Sequence, residues 1–169
     1  MEKKIIIGVI VSSFLLILVS YFFIKSSSLS SKSNDIKIIT YKKEDKEKPK
    51  VSYNNNFKDL GIMKVSEERS ADFIIKNTGQ KNLQLFNISS SCGCTVGKII
   101  IDKKESKEFG MHSLSDYVGE VLPGQQAIVK VIYRPYIMPV YGVVEREVYV
   151  TTNDPENERL VFKVKAFVK

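Results

Sequence analysis

The chain of 169 residues has two cysteines, Cys92 and Cys94, and only Gly93 separates them in the stretch SCGCTVGK. Three states are open to thiols at this spacing. In an extended strand, residues i and i+2 share a face with Cα atoms about 6.6 Å apart, near the upper limit for a disulfide. Gly93 widens the backbone conformations that draw the sulfurs together, so a strained and therefore reducible disulfide is one state. A second is a thiolate pair on one soft metal ion, for which copper(I) matches the preference for thiolate and thioether. The third is a tight turn with two small buried side chains and no chemistry.

Further copper ligands exist in the sequence. The single histidine, His112, follows Met111, and Met138 lies in RPYIMPVYG. Adjacent residues face opposite ways in a regular strand, so Met111 and His112 reach one ion together only from a loop, for which Gly110 is suited. The opposing account is plain: a lone histidine among strands is commonly a hydrogen-bonded structural residue, and methionines fill gaps in cores. Zinc fits less well, because C-x-C lacks the usual C-x₂₋₄-C spacing and no second ligand pair is present. A cysteine nucleophile with a histidine base would suit membrane-anchored transpeptidases of the sortase type, but His112 follows the cysteines and no TLxTC motif is present. GxSxG, HExxH and glycine-rich phosphate loops are absent too. The chain is expected not to be an enzyme.

The elements that would position these residues are read from charge and periodicity. Of the formal +7, residues 25–50 contribute +4, from eight lysines against four acids, and residues 51–169 only +2. The basic excess belongs to the tail, and nucleic acid is excluded as a partner because the remainder lacks charge to neutralise phosphates. After a short tail at residues 1–4, the run IIIGVIVSSFLLILVSYFFI at residues 5–24 has no charged side chain. As a helix it spans roughly the 30 Å of a hydrocarbon core, so it is expected to anchor the chain in a lipid bilayer. No A-x-A site follows it, which favours an uncleaved anchor over a signal peptide. Lys3 and Lys4 on a four-residue tail favour a cytoplasmic N-terminus and an extracytoplasmic domain, where thiols oxidise. Residues 25–50, rich in serine and lysine, are expected to form a disordered linker.

Residues 51–169 alternate with the period of strands. Ala71, Phe73 and Ile75 share a face, as do Ala127, Val129, Val131 and Tyr133, and so do Leu160, Phe162, Val164, Ala166 and Val168. Val144, Val148 and Val150 form a fourth set that Arg146 interrupts. Turn formers punctuate these strands: Asn77 and Gly79, Pro123 and Gly124, then Asn153, Asp154 and Pro155. Several short half-buried strands at this spacing predict an all-β, immunoglobulin-like antiparallel β-sandwich. It lacks the tryptophan and inter-sheet cysteines of antibody domains. Tyr133, Tyr136 and Tyr141 beside Pro135 and Pro139 read either as a contact surface or as rings packed on the sandwich.

The order FIIKNTG (73–79), LQLFNISSSCGCT (83–95), LPG (122–124) and TNDP (152–155) resembles the bacterial domain of unknown function 1573 across residues 51–169. CGCT after a strand is the most specific piece of the likeness, and FGMHS (109–113) lies in an insertion similar to that of a subset of the family. The resemblance implies a fold like the Hydin and major-sperm-protein Ig domains, in a protein that follows a secretion signal or a membrane anchor. Function is expected to be that of a protein-binding or scaffold module of the cell envelope, with a copper(I) or thiol-redox module on Cys92 and Cys94 as the alternative.

Overall fold

Period-two alternation becomes two facing sheets. The computed structural model describes residues 37–113 and 119–169. These hold β1 (Val51–Tyr53), β2 (Phe57–Met63), β3 (Arg69–Asn77), β4 (Leu83–Ser90), β5 (Thr95–Ile101), β6 (Lys104–Glu105), β7 (Gly119–Val121), β8 (Gln126–Tyr133), β9 (Gly142–Thr152) and β10 (Arg159–Val168). One sheet runs β1-β3-β8-β5-β6 and the other β2-β10-β9-β4-β7. The one helical element among the described residues is a 3-10 turn at Pro135–Ile137, so the chain is all-β there.

Each expected inward face is buried. Ala71, Phe73 and Ile75 of β3 meet Leu160, Phe162 and Val164 of β10 in one core cluster with Val129, Val131, Val148 and Val150. The Phe73 and Phe162 rings lie 5.2 Å apart between centroids, and burying one such ring contributes about 2 to 3 kcal/mol.

One strand departs from the expected antiparallel pattern, because β2 pairs parallel with β10. The reason lies in the short link Asn54, Asn55 and Asn56. β1 runs antiparallel to β3, and the chain then changes sheets without reversing. β2 and β10 therefore both run toward the end where Met63 and Val168 pack with Cys94.

The expected linker over residues 25–50 also needs correction where it is described. Residues 37–50 form no strand, yet they are bonded to the domain and belong to one compact unit, Lys37–Lys169. Ile39 N donates to Gln84 Oε1 at 2.8 Å, while Thr78 N and Gln80 N donate to Lys50 O and Lys48 O at 2.7 and 3.0 Å. Gly79 makes this approach feasible, since a Cβ there would fall 2.4 Å from Lys48 O and from Lys50 N. The domain boundary thus moves from Val51 to Lys37. The expected anchor at residues 5–24 lies outside the described residues, among which no helix is long and apolar enough to cross a membrane.

The turn formers lock the end of the sandwich opposite Cys94. Asn77 is fully buried; its Nδ2 donates to Lys81 O and Val121 O at 2.8 and 2.9 Å, and its Oδ1 accepts from Gly79 N at 2.9 Å. Asp154 Oδ2 accepts from Val51 N at 2.9 Å, Asn153 Oδ1 accepts from Gln84 N at 2.8 Å, and Pro155 is buried beside them. Between Pro123 and Gln125, Gly124 takes φ +82° and donates its N–H to Asn77 O at 2.8 Å.

Replacing Asn77 with alanine strands several buried donors and acceptors at once. Urea unfolding of residues 37–169 is expected to show Asn77→Ala destabilised by about 3 kcal/mol. Asp72→Ala, which removes only an exposed ion pair with Lys130, is expected to stay within about 0.5 kcal/mol of the parent.

Candidate functional site

The cysteines sit in a turn that every neighbouring element holds in place. β4 ends at Ser90, whose hydroxyl donates to Cys92 O at 2.9 Å. Ser91 clasps β9 twice, its N–H donating to Glu147 O at 2.9 Å and its Oγ accepting from Glu147 N at 3.0 Å. Thr95 N closes the turn on Cys92 O at 3.3 Å, and Arg134 N donates to Cys94 O at 2.8 Å. The turn brings the two Cα atoms to 5.3 Å, and Cys92 and Cys94 form a disulfide. Of the three states open to the pair, this structure adopts that one. Cys94 is buried, Cys92 half-buried and Gly93 exposed.

The surroundings of the sulfurs are more polar than their burial suggests. Arg146, the residue that interrupts the apolar face of β9, turns inward and places Nε 3.2 Å from Cys94 Sγ. Its guanidinium lies 5.7 Å from the centre of the Tyr133 ring. Thr95 Oγ1 is 3.4 Å from Cys92 Sγ and 3.9 Å from Cys94 Sγ. Tyr133 is buried in the same cluster as Cys94, Met63, Val144, Ala166 and Val168, and its hydroxyl has no hydrogen-bond partner among the described residues. Burial pushes the Tyr133 phenol above its ordinary range, against the pull of the Arg146 charge.

Only some of the expected ligands come together. Met138 lies over the glycine between the cysteines, its Sδ 3.6 Å from where a Cβ on Gly93 would stand. Met111 and His112 lie exposed in the turn after Phe109, which itself pairs with Gly97 of β5. Neither is hydrogen-bonded to the cysteines among the described residues, and no cluster of three or more His, Cys, Asp or Glu side chains suited to a metal occurs there. Arg146 was the signal that the spacing of cysteines, methionines and histidine did not reveal: a cation in an inward slot.

Residues 49–166 match the family described as HYDIN/CFA65/VesB-like, Ig-like domain. The chain belongs to this family. Two solved structures agree at the level of fold. A protein of unknown function from Porphyromonas gingivalis W83 superposes with a TM-score of 0.54 at 18% identity, covering 72% of this chain and 47% of its own. The chain thus spans about half the length of that protein. A family 123 glycoside hydrolase from Clostridium perfringens gives 0.50 at 9% identity, over 69% of this chain and 23% of its own. The PapD-like domain 7 of human CEP192 gives 0.48 at 11% identity, over 79% of this chain and 95% of its own. No curated protein matches the chain.

In this Ig-like domain the segment that carries Met138 is fastened at its base. Arg134 donates through both nitrogens of its fork to Glu108, at 2.7 and 2.9 Å, and through Nε to Glu68. The bonded guanidinium holds the Glu108 carboxyl below the usual carboxylate range. Beyond this anchor the tyrosines divide between the two readings given to them: Tyr133 packs inside, whereas Tyr136 and Tyr141 are exposed together with Ile137, Met138 and Val140.

With both sulfurs bonded to each other, the oxidised chain is expected to keep its native mass when copper(I) is offered. After reduction, uptake that vanishes in Cys92→Ser/Cys94→Ser and weakens in Met138→Leu would show that the pair and Met138 form a soft-metal site. Native mass spectrometry of anaerobic samples reads both results.

Proposed function

We propose that the chain is a protein-binding module of the cell envelope, of the domain of unknown function 1573 type, carried outside the cytoplasm on a membrane anchor at residues 5–24. The observation that carries this reading is an apolar surface left exposed among the described residues. Ile62, Phe167 and Val143 are lateral neighbours across β2, β10 and β9, and they are 60%, 47% and 64% exposed. Single exposed apolar side chains are ordinary; a row spanning three strands is not. The row continues through Gly142 into Tyr141, Val140, Met138, Ile137 and Tyr136, all exposed.

The chemistry of the rim favours a polypeptide. The next rung sets Asp59, Lys165 and Glu145 side by side, alternating in sign, whereas a surface that lies on anionic lipid would carry mostly lysine and arginine. Apolar centre, tyrosines and a mixed-charge border are the composition of a protein interface. The occupant would be an envelope protein that presents an apolar segment. The CGCT, NTG and TNDP motifs support the narrower family, and the uncharged run at residues 5–24 supports the anchor and the extracytoplasmic location.

A photo-crosslinking side chain at position 141, introduced in cells, tests the surface. Adducts of defined mass are expected, and Phe167→Glu should remove them while Cys92→Ser/Cys94→Ser leaves them in place. Absence of protein adducts, or adducts indifferent to Phe167→Glu, would overturn the reading.

A further inference from the structure

Strands of a sandwich put charge outward, and β9 breaks that rule at one position. Between buried Val144 and Val148 the inward slot holds Arg146, whose Nε donates to Cys94 Sγ at 3.2 Å. A guanidinium gains little from a neutral disulfide sulfur and far more from a thiolate. Two further donors share the site. Thr95 Oγ1 lies 3.4 Å from Cys92 Sγ, and Tyr133, buried in the cluster with Cys94, has a hydroxyl with no acceptor among the described residues. Buried polar groups normally find partners, and an exception calls for a reason. The reduced state supplies one: a negative charge on Cys94 would face Arg146 and add an acceptor to a region that now has too few.

Access selects the other sulfur. Cys94 is 1% exposed, whereas Cys92 is half-buried and follows exposed Ser91. We propose that Cys92–Cys94 is an exchange-active disulfide that accepts electrons from a protein dithiol, with Cys92 as the sulfur attacked and Cys94 as the leaving thiolate received by Arg146. A thiolate of the donor attacks Cys92 Sγ, the Sγ–Sγ bond breaks, and its electron pair leaves on Cys94. The donor's second thiolate then attacks the mixed disulfide and displaces Cys92. Two electrons pass to the pair and the donor becomes a disulfide. Of the two protons the donor thiols release, one ends on Cys92 and the other on solvent while Cys94 remains a thiolate. Arg146 acts here as a positioning residue for that charge, and the inference does not rest on the protein-binding surface.

The full chain, its Arg146→Met and Arg146→Lys variants and dithiothreitol as the probe dithiol provide the test. The wild-type disulfide is expected to be reduced about tenfold faster than that of Arg146→Met, with Arg146→Lys in between, since a stabilised leaving thiolate departs faster. Alkylation of the reduced Cys92→Ser variant against pH reads Cys94 alone, and its thiol is expected to titrate below the ordinary value of about 8.5 and to move up in Arg146→Met. Equal reduction rates and equal pH profiles with and without Arg146 would overturn the proposal. If Arg146→Met does not fold, the profile of the variant that retains Arg146 decides: a Cys94 thiol titrating at or above about 8.5 refutes it, and one clearly below supports it.

Discussion

Two sheets pack face to face at a cost for every polar group on their inner sides that is left unmatched, and the two ends of this sandwich differ in how fully they match theirs. At one end Asn77 is fully buried and satisfied by main-chain groups of Gly79, Lys81 and Val121, and Asp154 receives the Val51 amide. Neutral amide and short carboxylate contacts of this sort specify one arrangement of loops. The other end holds a guanidinium beside a disulfide sulfur and a phenol without an acceptor. That end is less fully matched, and local departures from the rules that make a sequence fold tend to gather where a protein does something other than fold.

Between these ends the spacing of the sheets is set by residues that tolerate little change. Gly97 of β5 faces Val148 of β9 so closely that a Cβ at this position would lie 2.6 Å from Val148 Cγ1. This close approach sits two residues beyond Thr95, so the cysteine turn is held on a stretch of strand that cannot slide without a clash. Arg134 adds a second hold, bonded to Cys94 O by its backbone and to Glu68 and Glu108 by its side chain. The turn is therefore firmly held, while the 3-10 segment after Arg134 buries Pro135 and projects Tyr136 and Ile137 into solvent. A firmly held disulfide next to an exposed apolar surface is an arrangement in which, if the disulfide exchanges as proposed, binding and positioning can be one event.

How far the sequence carried this picture depended on the kind of force involved. Alternation along β3, β8, β9 and β10 was legible because burial of one face leaves a period-two trace in residue type. NTG and TNDP were legible as turns, although their larger role as buried hydrogen-bond hubs was not, since a turn former exposed to water has the same letters. The packing of residues 37–50 was hidden because its holds lie elsewhere in the chain: main-chain amides at Thr78 and Gln80, the Gln84 side chain and the missing side chain of Gly79, none of which marks the segment's own composition. Parallel pairing of β2 with β10 was equally silent, being set by a three-residue link that changes sheets. At the site, Met138, Met111 and His112 were grouped with the cysteines on chemistry alone, and topology sets Met138 beside Gly93 and Met111 and His112 at an exposed turn.

A purely stabilising role accounts poorly for the disulfide. Closing a three-residue loop removes on the order of 1.5 kcal/mol of chain entropy from the unfolded state, about half of what a 15-residue loop would give. The domain already has a continuous core from Val51 to Val164 and a hydrogen-bonded lock at its far end, so it is not one of the small scaffolds that need such a staple. Placing Arg146 inward adds the opposite tendency, because a guanidinium taken from water toward a neutral sulfur loses hydration that the sulfur does not restore. An apolar residue in that slot would serve packing better, as Val144 and Val148 do on either side. Arg146 Nη1 keeps a bond to Glu145 O at 2.9 Å and the guanidinium lies over the Tyr133 ring, whereas the Nε contact with Cys94 is the one that a charge on the sulfur would strengthen.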